Sequence, residues 1–577
     1  MPAPMRVLET LSTALKAIID EAGLTWPAKT VIDPPRESKF GDISTNVAML
    51  LAREAKTNPR ALAEDLARKL MERCPDVEKA EAAGPGFCNV TFTPDFWRAT
   101  VAEVEAAGDE YGKSAVGAQR KVLLEYVSAN PTGPLHVGHG RGAAVGDSLA
   151  RLLRMAGFVV DTEYYVNDAG RQMRLLGLSV WLRARELRGL PVTWPAEGEY
   201  YKGDYIRDIA REMLQADPHL TDLPEAEGRT RCQVWAMQEI LQGIKNDLQA
   251  FRVEHNQWFS EKTLVDSGAV DSAFAALSSG GHTYSAQSPR HGSERAEVLN
   301  MRQQTQADAL WFATTPLGDD MDRVLRKSDG SLTYFASDIA YHHDKYRRGY
   351  DWLIDVWGAD HHGYVPRMRA AITAMGKPAQ SFSVVLIQLV NLLREGKPVS
   401  MSTRAGTFET LADVIAEVGA DAARFMFLSR KSDSPLDFDL DLVKQRSMDN
   451  PVYYVQYAYA RICAVQRRAA ERGLDVPKHN DVTALAALDT PEDMELLRKI
   501  ATFSDMLVSA AQALGVHHVS HYLSELAGLL HSYYARHQVL VEDDIPRSLA
   551  RLALLRAVGQ VLRNGLHVLG VSAPETM

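Results

Sequence analysis

The sequence has little cysteine: Cys74, Cys88, Cys232 and Cys463 are scattered, and no two of them form a Cys-x-x-Cys pair. This spacing predicts neither a zinc site nor a disulfide framework, and it is typical of a reducing cytoplasm. The sequence also lacks any run near the ~18 apolar residues of a membrane span, and its N-terminus has no basic segment followed by an apolar one. We therefore expect a soluble, cytoplasmic protein that does not enter a membrane.

An excess of positive charge is absent too, because 64 Lys and Arg stand against 74 Asp and Glu, giving a formal net charge of −10. This balance excludes a histone-like binder of nucleic acid but is compatible with a local basic face that holds RNA. Internal repeats and low-complexity tracts are also missing. With 577 residues, the chain has the length of about three to four domains.

The most informative stretch runs from Glu125 to His139 and reads Glu-Tyr-Val-Ser-Ala-Asn-Pro-Thr-Gly-Pro-Leu-His-Val-Gly-His. The apolar run 122–124 before it is typical of a buried parallel strand, and residues 142–155 after it are predicted to form a helix. Strand, turn and helix in this order form the first crossover of a doubly wound sheet, and ligands bind beyond the ends of such strands. The helix N-terminus favours a phosphate, and Gly138 lets a nucleotide lie against the backbone.

The segment from His136 to His139 resembles the His-x-Gly-His motif of class I aminoacyl-tRNA synthetases, and the longer string 129–139 is similar to that of the arginyl members. The resemblance implies that arginine's carboxylate attacks the α-phosphate of ATP, with Mg²⁺ carried by the ATP. Arginine is then transferred to the 3′-terminal adenosine of its tRNA, which in this family must bind before arginine is activated. Without the resemblance, two polar histidines in an ordinary βα turn remain an alternative.

The expected fold class is α/β and multidomain. Residues 1–112 are predicted to form a small α/β N-terminal domain that binds tRNA, with a helix capped by Asn58 and Pro59. Residues 113–440 are expected to form a Rossmann-like catalytic domain with a doubly wound parallel sheet and an insertion at about 180–305. Residues 441–577 have a helical pattern and are expected to form an all-α anticodon-binding bundle. We expect a monomer.

The loop around Ser402 resembles the Lys-Met-Ser-Lys-Ser motif that holds the β- and γ-phosphates, but Ser400 and Thr403 occupy its two lysine positions. Losing a charge-assisted phosphate contact costs roughly 1.5–3 kcal/mol. Some arginyl enzymes compensate with a lysine just before the histidine motif, where this chain has the segment 132–134 without one. Our hypothesis is that Arg404, Lys397 or both supply the missing charge. By itself, the loop has the composition of an ordinary flexible surface loop.

A guanidinium group is best bound by carboxylates that accept its hydrogen bonds in a planar arrangement. The resemblance implies that Glu125 and Asp338 face the arginine side chain, while Asn130 holds its backbone groups and Ser128 also contacts arginine. Tyr334 would line the pocket, and it shares one face with Asp338 if the segment is helical. A lysine substrate would leave acceptors unpaired, which gives selectivity without editing. Glu125 as an ordinary salt-bridge partner and Tyr334 as a strand aromatic are the alternatives.

The remaining site residues follow from the same resemblance. The adjacent histidines His361 and His362 suggest a metal, but no spaced carboxylate or cysteine completes a ligand set, so we expect a nucleotide pocket and no metal site. The residues expected to act in catalysis are His136, His139, Ser402 and Arg404. Those expected to contact ATP are Asn130, Pro131, Thr132, Gly133, His136, Gly138, His139, Asp360, His361, His362, Met401 and Ser402.

Four residues are expected to contact tRNA. Lys39 lies in a segment similar to the N-terminal domain peculiar to the arginyl members, and a solvated loop is the alternative interpretation. Tyr453, Tyr457 and Arg461 combine aromatic stacking with positive charge, which suits single-stranded RNA, although tyrosines at helical spacing also occur in cores. Two rival functions remain at this point: a catalytically impaired paralogue that binds tRNA, and a class I synthetase for another amino acid.

Overall fold

The computed structural model describes residues 5–35, 37–196, 198–291, 308–399, 409–476 and 482–577. The α-helices are α1 (Met5–Glu21), α2 (Val47–Leu51), α3 (Pro59–Arg73), α4 (Pro94–Ala107), α5 (Val137–Met155), α6 (Gly170–Leu187), α7 (Asp204–Ala216), α8 (Glu225–Ala250), α9 (Lys262–Asp266), α10 (Ala269–Ser279), α11 (Tyr334–Arg347), α12 (Val365–Ala374), α13 (Leu411–Val418), α14 (Ala420–Phe427), α15 (Leu440–Lys444), α16 (Pro451–Glu471), α17 (Pro491–Ala501), α18 (Phe503–Gln512), α19 (His517–Arg536) and α20 (Ile545–Val568). The strands are β1 (Ile32–Asp33), β2 (Ile43–Thr45), β3 (Val77–Ala83), β4 (Phe87–Phe92), β5 (Lys121–Glu125), β6 (Val159–Val166), β7 (Gln257–Ser260), β8 (Thr283–Ala286), β9 (Ala309–Phe312), β10 (Arg323–Arg326), β11 (Trp352–Gly358), β12 (Phe382–Ile387), β13 (Val390–Arg394), β14 (Lys397–Pro398) and β15 (Leu436–Asp439).

The chain divides into two compact units. The first holds residues 1–116, 155–157 and 445–577, and the second holds residues 117–154 and 158–444. The sequence places boundaries near residues 112 and 440, and the two outer segments that it separates share one unit in the structure. No helix in the described ranges is long and apolar enough to cross a lipid bilayer.

The first unit joins an antiparallel sheet of order β1-β2-β4-β3 to the helices α16–α20. Helix α4 packs against α17 and α20. The side-chain amide of Asn564 in α20 donates hydrogen bonds to the carbonyl oxygens of Gly108 (2.9 Å) and Tyr111 (3.0 Å). The backbone that follows α4 therefore has its hydrogen bonds completed by the C-terminal helix.

The second unit is built on a five-stranded parallel sheet of order β12-β11-β5-β6-β7. From β5 the chain adds β6 and β7 on one side, and it then adds β11 and β12 on the other side. The side on which the chain adds strands therefore changes between β5 and β11. Ligands of open α/β sheets bind at this point, beyond the carboxyl ends of the strands. The interval 180–305, expected as an insertion, supplies β7 to this sheet. The doubly wound parallel sheet expected from the sequence is confirmed.

Helix α5 begins at Val137 rather than at Gly142, so the second half of the histidine motif lies in its first turn. Its glycines weaken the helical pattern in the sequence because glycine is a poor helix former. They are needed for close packing: a Cβ atom on Gly140 would lie 2.7 Å from a methyl carbon of Leu411, and one on Gly146 would lie 2.2 Å from the ring of Tyr126. Tertiary packing thus outweighs local propensity in this helix.

Candidate active site

The turn after β5 is held in an unusual backbone conformation. Val127 and Ser128 have φ angles of 70° and 38°, in the left-handed region that non-glycine residues rarely occupy. The preceding Tyr126 is fully buried, and its hydroxyl donates to the carbonyl oxygen of Glu254 at 3.1 Å. Strain of this kind persists only where the surrounding structure enforces it, and it is concentrated at functional sites.

The Glu125 carboxylate at the end of β5 is held by both of its oxygens. Its Oε2 accepts a hydrogen bond from Lys345 Nζ of α11 at 2.5 Å, and its Oε1 accepts one from the Ser128 hydroxyl at 2.8 Å. Lys345 Nζ also donates to Asp355 of β11 at 3.0 Å. Asp355 stands opposite Glu125 in the parallel ladder, so the ammonium lies between two carboxylates. Sequence reasoning missed Lys345 and Asp355.

The segment carrying Tyr334 and Asp338 is helical, so the two side chains share the first turns of α11. Asp338 accepts a hydrogen bond from the hydroxyl of Tyr364, and burial raises the pKa of Asp338. The backbone carbonyl oxygen of Asp338 lies 2.8 Å from His342 Nδ1. The other ring nitrogen, His342 Nε2, lies 2.8 Å from Asp355 Oδ2. The backbone of Asp338 and the carboxylate of Glu125 are thereby linked through one polar network, whereas the Asp338 carboxylate is bonded to Tyr364. Tyr334 is 80% exposed and lies at a helix start, so it is not a strand aromatic.

The two motif histidines stack on each other, with ring centroids 3.7 Å apart. His136 Nδ1 accepts a hydrogen bond from the Gly138 backbone at 3.1 Å, and His139 Nδ1 accepts one from the His136 backbone at 3.3 Å. Each neutral ring therefore carries its hydrogen on Nε2. Burial lowers the pKa of His136, and it lowers the pKa of His139 to about 3 with a further contribution from His136. At neutral pH both rings are uncharged donors.

The turn 130–133 is covered by a residue from the expected insertion. The hydroxyl of Tyr205 in α7 donates to the carbonyl oxygen of Thr132 at 2.6 Å. A Cβ atom on Gly133 would lie 3.2 Å from the same hydroxyl, so glycine leaves room for the contact. Asn130 is exposed, whereas Pro131 is buried. Sequence reasoning missed Tyr205, and the only available signal was the cluster of tyrosines at 200, 201 and 205.

The segment that is expected to form the phosphate loop lies outside the described residues. It includes Ser400, Met401, Ser402, Thr403 and Arg404. The chain on both sides of them is described. Before the loop, the backbones of Lys397 and Arg394 lie opposite each other in the antiparallel β13–β14 hairpin. After it, Thr410 forms a β-bridge with His136, and the Leu411 backbone donates to the Leu135 carbonyl oxygen at 2.8 Å. Thr410 and Leu411 therefore lie beside the histidine turn, the segment from Leu135 to His139.

Asp360, His361 and His362 lie in a 3-10 helix (Ala359–Tyr364) that follows β11 at the same sheet edge as Glu125. All three side chains are exposed. Within the described ranges, no group of three or more His, Cys, Asp or Glu side chains is arranged to hold a metal ion. The exposed edge beyond β11 thus offers polar groups on one side of the histidine turn.

The residues expected to contact tRNA lie in the first unit. The Tyr453 and Tyr457 rings are parallel with centroids 5.7 Å apart, and the Arg461 guanidinium lies 4.1 Å above the Tyr534 ring. A cavity of about 760 Å³ is lined by Tyr457 and Arg461 together with Arg467, Arg468, Arg472, Tyr534 and His537. Lys39 is exposed and pairs with Glu37 at 2.6 Å. The cavity combines positive charge with aromatic faces.

Three family profiles match separate parts of the chain. Residues 8–92 match "Arginyl tRNA synthetase N terminal domain", residues 100–188 match "tRNA synthetases class I (R), catalytic domain", and residues 455–577 match "DALR anticodon binding domain". The matches follow the order in which the sequence analysis places the corresponding segments.

Several relatives match over nearly the full length. The arginine–tRNA ligase of Desulfovibrio desulfuricans is 73% identical over 573 residues, covering 99% of this chain and 100% of the relative. That of Nitratidesulfovibrio vulgaris strain Miyazaki F is 60% identical with the same coverage. A solved Campylobacter jejuni structure described as an arginyl-tRNA synthetase superposes with a TM-score of 0.73 and 34% identity, over 84% of this chain and 100% of that one. The Thermus thermophilus arginyl-tRNA synthetase, 23% identical, has the same fold with a TM-score of 0.72 over 99% of this chain and 100% of that one.

Proposed function

The chain belongs to the arginyl-tRNA synthetases, which are ATP-dependent class I ligases that join arginine to tRNA. From this we propose that the reaction takes place at the carboxyl ends of the neighbouring strands β5 and β11. The observation that carries this proposal is the reversal of strand order at that point. Around this point lie Glu125, the backbone of Asp338 with its contact to His342, and the histidine turn. Arginine and ATP would meet there, and arginyl-adenylate and pyrophosphate would form.

ATP would be bound by the residues of the histidine turn. The neutral Nε2–H groups of His136 and His139 are suited to donate to phosphate oxygens as charge develops, and the positive end of the α5 dipole favours the anion. Asn130, Pro131, Thr132, Gly133 and Gly138 would lie along the nucleotide. The exposed Asp360, His361 and His362 would approach it from the β11 side. Mg²⁺ would enter with ATP, held mainly by phosphates and water.

Arginine would be recognised by two carboxylates, Glu125 and Asp338. Burying a guanidinium is costly, and the hydrogen bonds that it would make to buried acceptors would offset this cost. Asn130 would hold the amino-acid backbone, Ser128 would contact arginine while its hydroxyl orients Glu125, and Tyr334 would cover the pocket. A lysine side chain has fewer donors and would leave acceptors unpaired, which favours arginine.

The phosphate loop would act without its two lysines. Arg404, Lys397 or both would supply positive charge to the β- and γ-phosphates, with Met401 and Ser402 completing the loop. The contacts of Thr410 and Leu411 with the histidine turn support this arrangement, because they bring the end of the loop to the proposed nucleotide site.

tRNA would be bound by the first unit, in which the cavity beside Tyr457 and Arg461 fits an unstacked base and its phosphates. Tyr453 would extend the stacking surface, and Lys39 of the N-terminal segment would contact the outer corner of the tRNA. We further propose that the enzyme acts as a monomer in the cytoplasm, with domains at residues 1–112, 113–440 and 441–577.

Pyrophosphate exchange, measured for each amino acid with and without tRNA, tests this proposal. We expect arginine to be the one amino acid that supports exchange, and we expect this exchange only when tRNA is present. At least one of the variants Arg404→Ala and Lys397→Ala should lower the exchange rate, by roughly 10- to 100-fold where that cation carries the contact. Lys431→Met, which removes a lysine from an exposed ion pair with Asp433, is the matched control. Exchange supported by a different amino acid, or unchanged rates in both loop variants, would contradict the respective assignment.

A further inference from the structure

A buried ion cluster lies directly behind Glu125. The Lys345 side chain is 1% exposed and contacts the carboxylates of Glu125 (2.5 Å) and Asp355 (3.0 Å). The Asp355 side chain is also 1% exposed, and its second oxygen pairs with His342 at 2.8 Å. Burying charges in this way is costly, and well-packed apolar side chains often stabilise a fold as well or better. The cluster therefore calls for an explanation in terms of function.

The cluster fixes how Glu125 presents its carboxylate. Oε2 is held by Lys345, and Oε1 is held by the Ser128 hydroxyl, which in turn accepts a hydrogen bond from the Tyr165 backbone at 3.1 Å. A carboxylate can accept about four hydrogen bonds, so these two contacts leave lone pairs for further donors. The Glu125 side chain is 12% exposed, whereas Lys345 behind it is closed off. An incoming donor therefore meets Glu125 and not Lys345.

We propose that Lys345 is a positioning residue for arginine recognition, whose ammonium keeps the Glu125 carboxylate charged and oriented toward the substrate guanidinium. The inference rests on the proposed function, because it takes Glu125 as an acceptor for arginine. Lys345 itself touches no substrate. Its partner Asp355 holds the ammonium from β11, the strand on the other side of the sheet reversal.

The groups around Glu125 give this role a pH signature. Burial raises the pKa of Glu125, Lys345 lowers it, and Asp355 raises it again, while His342 has a smaller lowering effect. Removing the ammonium leaves burial and Asp355 acting in the same direction, so the carboxyl would hold its proton to higher pH. Arginine binding needs the ionised form. The kcat/KM for arginine of a Lys345→Met enzyme should therefore fall as the pH is lowered, at a pH where the wild-type value is still constant.

The test compares Lys345→Met, Lys345→Arg and the exposed control Lys431→Met in tRNA-saturated pyrophosphate exchange. We expect Lys345→Met to raise the KM for arginine about 10- to 100-fold, the size of a lost charge-assisted contact, and to change the KM for ATP by less than about twofold. Lys345→Arg keeps the charge and should recover part of the loss. Lys431→Met should behave as the wild type.

A purely structural lysine gives a different result. If Lys345→Met weakened arginine and ATP binding equally, or left the pH profile unchanged, the proposal would be overturned. Should the methionine variant fail to fold, Lys345→Ala assayed with added propylammonium is the second measurement: rescue of the arginine KM supports the proposal, and no rescue overturns it. Glu125→Gln, assayed in parallel, distinguishes a failure of the positioning role of Lys345 from a failure of the proposed arginine pocket. A raised arginine KM in Glu125→Gln but not in Lys345→Met contradicts only the positioning role, whereas no change in either contradicts the arginine pocket.

Discussion

At the scale of single residues, burial decides the charge of the proposed catalytic groups. His136 and His139 are stacked, partly enclosed and bonded to backbone N–H groups through Nδ1, and burial is the main cause of their lowered pKa values. Neutral rings at a helix N-terminus are physically sensible, because imidazolium ions would be repelled by the partial positive charge of that end. The phosphate would then meet oriented donors and the helix dipole instead of two extra cations.

The first prediction concerns the acid stability that His139 controls. Its pKa of about 3 in the folded protein lies below the ~6.5 of an unfolded histidine. The folded state thus binds fewer protons, and the stabilisation is complete above pH 6.5 and is lost as the pH falls toward 3. His139→Gln cannot titrate, so between pH 7 and pH 5 its free energy of unfolding should fall by about 2 kcal/mol less than that of the wild type.

Urea unfolding followed by tryptophan fluorescence at the two pH values measures this difference. His219→Gln, which replaces a ring whose side chain is 86% exposed, is the control. Equal losses in the wild type and in His139→Gln would show that the His139 ring is not kept neutral by burial.

At the scale of secondary-structure elements, the sequence predicted strands better than the connections between them. The apolar run 122–124 lies within β5, because a buried parallel strand has a continuous hydrophobic pattern. The start of α5 was misplaced, because its glycines serve packing against Leu411 and Tyr126, which no local pattern reveals. Lys345 was missed for a similar reason: its partner Glu125 lies 220 positions away in the sequence.

The second prediction concerns helix α7, which covers the turn 130–133. Tyr205→Phe removes the hydroxyl that donates to the Thr132 carbonyl oxygen at 2.6 Å. Losing one such hydrogen bond costs about 0.5–1.5 kcal/mol, so the KM for ATP should rise about 2- to 10-fold while the KM for arginine stays nearly constant. Tyr200→Phe, whose ring packs on Trp194, is the matched control. Steady-state exchange kinetics would contradict the assignment if both variants had the wild-type KM for ATP.

At the scale of the whole molecule, the chain folds into two compact units. The five-stranded parallel sheet of the second unit brings together groups from β5, α5, α11 and β11, and the first unit joins the N-terminal sheet to the C-terminal helices. The doubly wound parallel sheet followed from the sequence, because its buried strands and helices leave hydrophobic patterns in the chain. The pairing of Glu125, Asp355 and Lys345 depends on strand register and helix rotation, and therefore needed the structure.

The most direct test of the account is a crystal structure of the enzyme with a non-hydrolysable sulfamoyl analogue of arginyl-adenylate. We expect the guanidinium within ~3.5 Å of the carboxylates of both Glu125 and Asp338, and the adenosine against Gly138 beside His136. An analogue bound elsewhere, with the edge between β5 and β11 empty, would contradict the account.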